Sequence, residues 1–159
     1  MRCRVWRCIT LLALCCAGIG CLPTLFKGHM LRAADAWSIE LRAVTDSITS
    51  IQISGEPRYA VPPDGYHWVW VFMNVQNTAA TPREFGYDSC ELELDQRKVL
   101  PTFAGSVTSL FDDHKETYAP GEQSYRRVIF AYPDGRTPAR FRCGNMLFEI
   151  PGAGGGKGG

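Results

Sequence analysis

From Trp37 onward apolar and polar side chains alternate with a period of two, the spacing of a strand with one buried face. Trp37, Ile39, Leu41 and Ala43 alternate with Ser38, Glu40 and Arg42, which predicts a strand over 37–44. Ile48, Ile51 and Ile53 mark a short second one. Residues 66–77 (YHWVWVFMNVQN) form the longest run, with Val69, Val71, Met73 and Val75 on one face and Trp68, Trp70 and Phe72 on the other. A strand apolar on both faces belongs in the middle of a sheet, covered on both sides over part of its length. Cys90, Leu92 and Leu94 then alternate with Glu91, Glu93 and Asp95. Residues 98–103 read as a short edge strand, because Pro101 has no N–H to donate to a ladder. Residues 124–132 and 139–150 complete the set, the latter folded at Gly144-Asn145, a two-residue hairpin signal. Pro62-Pro63-Asp64-Gly65, Pro120-Gly121 and Pro133-Asp134-Gly135 supply the turns. No stretch after residue 30 carries a helical period. The prediction is an all-β sandwich.

Ahead of this body the pattern changes. Arg2, Arg4 and Arg7 precede residues 8–26, which carry no charge. A basic start, a short apolar run over Cys8–Ile19 and small residues after it predict a secretory signal over residues 1–20. The arginines stay at the negative inner face of the bilayer while the apolar run enters it. Gly18-Ile19-Gly20-Cys21 resembles a bacterial lipobox. Gly20 and Cys21 fit, whereas Gly18 stands where Leu, Val or Ile is usual. The resemblance implies that Cys21 is lipidated and becomes the new N-terminus. The alternatives are ordinary cleavage with secretion, and an uncleaved anchor that Gly18, Gly20 and Pro23 make a poor spanning helix. Each places the body outside the cytoplasm. Residues 21–35 are expected to be a tether and 36–150 the sandwich. The tail over 151–159, PGAGGGKGG, is expected to be disordered.

Length and charge narrow the picture. A chain of 159 residues fits one domain. Its net charge is +1, yet residues 22–159 hold 14 basic and 16 acidic side chains. Such a body lacks the basic excess that nucleic-acid binding needs. Five of the seven cysteines lie in or at the end of the export segment, leaving Cys90 and Cys143 for the folded body. Their strand parity points both inward, and an oxidising compartment predicts one disulfide. Two buried free thiols are the alternative. No CxxC is present, so no metal site and no cofactor are expected.

Few residues carry candidate chemistry. Asp113 and His114, in FDDHKE, are the candidate centre of a small metal-dependent hydrolase, against a plain solvated loop. His67 opens the longest strand as a partly buried polar cap. No GxSxG elbow or phosphate-cradling glycine loop is present. Glu91 and Glu93 share a strand face and read as its solvated half, although glycosidases also use paired carboxylates. Trp68, Trp70 and Phe72 are expected to line the inner face of the sandwich; left open, they are the candidate ligand strip, on which sugars stack. Tyr118, Tyr125 and Tyr132 read as surface aromatics. Arg126, Arg127, Arg136, Arg140 and Arg142 form a basic cluster, with Arg140 and Arg142 expected beside Glu91 and Glu93 in a charge ladder.

The order of these features resembles a known group. A long apolar strand ends at Asn77-Thr78, an acidic alternating strand follows, and Ala119-Pro120-Gly121-Glu122 leads into a strand from Arg126 to Tyr132 that ends at Pro133. Residues 36–150 thus resemble the immunoglobulin-like domain of unknown function of many exported bacterial proteins and lipoproteins. The secreted mycobacterial immunoglobulin-like antigen is a structural relative of that group. The resemblance implies an immunoglobulin-like sandwich of about seven to nine antiparallel strands outside the cytoplasm, and no catalytic residues. Cys90 and Cys143 are no hallmark of that group; the pair is similar to the inter-sheet bridge of antibody domains by analogy alone. The functional expectation is a non-enzymatic binding or interaction domain at the cell envelope, tethered to the membrane by lipid or anchor, with a protein or glycan partner. A carbohydrate-binding module using Trp68, Trp70 and Phe72 is the alternative, and a structural spacer a third.

Overall fold

The computed structural model describes residues 24–47, 51–52, 59–106, 110–111 and 114–151. The expected signal segment, Cys21, Asp112, Asp113 and the tail from residue 152 lie outside them. In chain order the strands are β1 (Thr24–Ala34), β2 (Trp37–Ser47), β3 (Ile51–Gln52), β4 (Tyr59–Ala60), β5 (Tyr66–Asn77), β6 (Arg83–Gly86) and β7 (Cys90–Leu94). There follow β8 (Arg97–Val99), β9 (Phe103–Gly105), β10 (Leu110–Phe111), β11 (Lys115–Tyr118), β12 (Gln123–Pro133), β13 (Arg140–Cys143) and β14 (Met146–Glu149). They pair antiparallel into a six-stranded sheet, β1-β2-β5-β12-β9-β10, and a four-stranded sheet, β14-β13-β7-β8. The pairs β6-β11 and β3-β4 stand beside them. Strands β2, β5, β12 and β9 occupy the A, B, E and D places of an immunoglobulin-like sandwich, and β14, β13, β7 and β8 the G, F, C and C′ places.

The core lies between the sheets. From the large sheet come Ile39, Leu41, Val44, Val69, Val71, Met73, Val75, Val128 and Phe130; from the small one Leu92, Phe141, Met146 and Phe148. The alternation read along 66–77 is therefore real, but its faces are reversed from expectation. The valines look into the sandwich and Trp68, Trp70 and Phe72 look out. Both faces of β5 are apolar, and the one that turns inward is the one that meets Leu92, Phe141 and Phe148 of the small sheet.

Three further expectations are corrected. Residues 24–34 are not a tether: they form β1, the edge of the large sheet, paired to β2 from Thr24↔Thr45 to Ala34↔Trp37. Irregular register at Thr24/Phe26 and Lys27/Met30 breaks the alternation that would reveal this strand. Its turn is Asp35-Ala36 with φ of 52° and 68°, a primed turn without the usual Asn-Gly. Residues 98–103 are two strands: β8 ends at Val99 in the small sheet and β9 starts at Phe103 in the large one. Pro101 lies in the crossover, where no ladder asks it for an N–H. Tyr118 and Tyr132 are buried rather than superficial, each with its hydroxyl hydrogen-bonded. The Gly144-Asn145 hairpin forms as expected, Cys143 facing Met146.

The disulfide Cys90–Cys143 is present. It does not join the sheets. Cys90 and Cys143 are directly opposed on β7 and β13, neighbours within the small sheet. The antibody bridge links B to F, whereas this one links the C and F places.

Candidate functional site

The outward face of the large sheet is built in rows across its strands. Thr45, Trp70 and Ile129 form one row; Ala43, Phe72, Arg127 and Gly105 form the next. At one end Trp68 is only 2% exposed, in a second apolar cluster with Ile51, Phe103 and Ile129. Trp70 and Phe72 are half-buried, and Tyr125 is 42% exposed. The three residues singled out from sequence thus share a face, but Trp68 is sealed into it. Phe72 stacks on Tyr125 with centroids 6.2 Å apart and planes 16° apart. The Arg127 guanidinium lies 4.8 Å above the Trp70 ring, a cation–π contact. Tyr125 and Arg127 escaped the sequence reading as members of this face. Their parity on β12 matches that of Trp70 and Phe72, but only the β5–β12 register reveals it.

The next row carries Glu40, Asn74 and Tyr125. Glu40 accepts from the Asn74 amide at 2.7 Å and from Arg42 at 3.3 Å, and its other oxygen pairs with His29 at 2.6 Å. These contacts, His29 first, hold its carboxyl down to about 2.

Other polar groups are engaged structurally. The Glu116 carboxylate accepts from Tyr87 at 2.8 Å, Tyr118 at 3.1 Å and Arg126 Nε at 2.6 Å, and pairs with Arg126 Nη2. Arg126, first of all, holds that carboxyl below the ordinary range, and burial pushes the Tyr118 phenol up to about 12. His114 pairs with Asp88 at 2.6 Å. His67 lies between Asp134 at 3.3 Å and Asp46 at 3.5 Å; burial raises the Asp46 carboxyl against the pull of that imidazole. Among the described residues no three His, Cys, Asp or Glu side chains are placed to hold a metal. The charge ladder forms, but Glu91 is buried rather than solvated: Arg142 reaches Glu91 at 3.4 Å, and Arg140 reaches Glu93 at 3.2 Å and Glu149 at 3.1 Å.

Glu40 and Glu116 make stability depend on acid. Each binds its proton less readily folded than unfolded, so its contribution is complete above the ordinary carboxylate range. It is lost as pH falls through the folded value, about 2 for Glu40. Thermal melts are expected to fall steeply between about pH 4.5 and pH 2, and less steeply in Glu40→Gln. A parent and variant with the same slope would show that Glu40 contributes nothing.

No protein-family model matches the chain, and no curated protein matches it in sequence. Solved structures that align with the chain include three. A conserved hypothetical protein from Bacillus anthracis aligns with a TM-score of 0.51 and 10% identity, over 79% of this chain and 94% of that one. An uncharacterised β-sandwich protein from Clostridium difficile 630 aligns at 0.48 and 15% identity, over 69% and 76% of the two chains. A functionally unknown protein from Listeria monocytogenes EGD-e aligns at 0.45 and 9% identity, over 71% and 68%. At these identities the first likeness bears on fold alone, and it agrees with the antiparallel β-sandwich that the chain's own two sheets build.

Proposed function

We propose that this chain is an exported, membrane-tethered domain that binds a partner at the bacterial cell envelope and catalyses no reaction. The observation that carries this reading is the outward cluster of Trp70, Phe72 and Tyr125 with Arg127 laid on Trp70. Three rings and a cation on the solvent side of a sheet are costly to keep unless something covers them in use. The arginines at positions 2, 4 and 7, the uncharged run after them and Cys21 support export and lipid anchoring. The disulfide supports an oxidising compartment. The order of strands and the exported-lipoprotein resemblance support a place among immunoglobulin-like envelope domains.

Two measurements test it. The intact mass of the protein recovered from membranes should equal a chain that starts at Cys21 plus acyl groups; an unmodified soluble chain would replace the tether with secretion. Purified protein should co-sediment with washed envelope fragments. Phe72→Ala with Tyr125→Ala should weaken retention about tenfold, as two stacked rings are removed. Equal retention of parent and double variant, with both folded by thermal melt, would exclude this face as the binding surface.

A further inference from the structure

We propose that the outward face of the large sheet takes a carboxylate-bearing sugar unit, its acid group on Arg127 and its ring against Phe72 and Tyr125. This rests on the envelope-binding reading above and names its ligand class.

The argument starts from the arginines of the last third of the chain. Arg126 is held by Glu116, Arg136 by Asp95 at 3.1 Å, Arg140 by Glu93 and Glu149, and Arg142 by Glu91 and Glu93. Arg127 has no acidic partner among the described residues. Its Nε is buried and makes no hydrogen bond there. Burial disfavours its charged form. A half-buried cation with no counter-charge among the described residues is expensive, and a ligand carboxylate answers it with charge-assisted hydrogen bonds in the fork geometry that arginine presents.

The surroundings suit a ring-bearing acid. Phe72 and Arg127 are flanked in their row by Ala43 and Gly105, whose side chains are too short to cover them; beyond these the row runs on to Lys27 of β1 and Leu110 of β10. One row away the Thr45 hydroxyl and the Trp70 indole N–H are also buried without a partner among the described residues. Glu40, the acid of the neighbouring row, is already engaged by His29, Arg42 and Asn74. A half-buried cation on a body with two more acids than bases from residue 22 onward suits separate carboxylates, not a dense polyphosphate.

The test uses envelope polysaccharide stripped of protein, in native form and after chemical reduction of its uronic acids to neutral sugars. Binding is read by tryptophan fluorescence and calorimetry. Native polysaccharide should bind, and the reduced form should bind at least about tenfold more weakly, the loss of one charge-assisted contact. Arg127→Gln should erase the difference between the two forms, Arg127→Lys should keep part of it, and Tyr125→Ala should weaken both. Equal binding of the two forms overturns the acidic-sugar assignment. If neither form binds while whole envelope fragments still retain the protein, the partner is a protein and the sugar assignment fails alone. If the fragments do not retain it either, the envelope-binding reading fails with it.

Discussion

Asn77→Asp is expected to destabilise the fold by about 4 kcal/mol or more, the largest effect of any single substitution we foresee. Asn77 ends β5 and is fully buried. Its amide nitrogen donates to the carbonyls of Thr81 at 2.9 Å, Tyr118 at 3.0 Å and Ala119 at 3.2 Å, and its amide oxygen accepts from the Ala79 N–H at 2.9 Å. One side chain thus serves the backbone of two segments, the turn over 79–81 and the end of β11 at 118–119. Aspartate keeps the shape and turns the donor into a charged acceptor facing three carbonyl oxygens. Asn77→Ala removes the contacts without adding a charge and should cost about 3 kcal/mol. The two are told apart by acid: the aspartate variant should regain stability as pH falls and its carboxyl takes a proton, while the alanine variant should not. Urea midpoints supply the measurement. A loss below about 1 kcal/mol in the aspartate variant would mean that these carbonyls find other donors.

Removing the disulfide is the second. For a sequence separation of 53 residues, chain entropy predicts a loss of about 4 kcal/mol for Cys90→Ala with Cys143→Ala. The sulfurs join strands that already pair directly, at Phe141↔Leu92 and Arg142↔Glu91. The sandwich should therefore still close without the bridge, with the native circular dichroism spectrum and a lower midpoint. The urea slope should rise, because the unlinked unfolded chain exposes more surface. An unchanged midpoint on reduction would show that the bridge constrains nothing the ladder does not.

The main strands were legible because their alternation is uninterrupted. Residues 66–77 coincide with β5, and Gly144-Asn145 with the turn between β13 and β14. What escaped was set by pairing. β1 hides behind irregular register and a turn of Asp and Ala, where the signal for a primed turn is Asn or Gly. Which face of β5 turns inward depends on the partner sheet, and either face is apolar enough for both. Arg126 and Arg127 look like one basic pair in the sequence. On a strand they point to opposite sides, the first into the Glu116 network and the second onto Trp70. The candidate face was therefore half visible: its three β5 rings could be read from spacing, while Tyr125 and Arg127 join it only through the register with β12.

The pairing of β1 bears on how high the domain stands. β1 begins at Thr24, so on the proposed anchoring only Leu22 and Pro23 separate lipidated Cys21 from the first sheet residue. Two residues span on the order of 7 Å when fully extended. Thr24 sits opposite Thr45, in the row of Trp70, while the Asp35-Ala36 turn lies at the far end of the same hairpin. A domain held this way has no stalk: its Trp70 end stands next to the lipid headgroups and its Asp35 end points away. It would work as a short post, reaching only ligands that come within one domain's height of the bilayer.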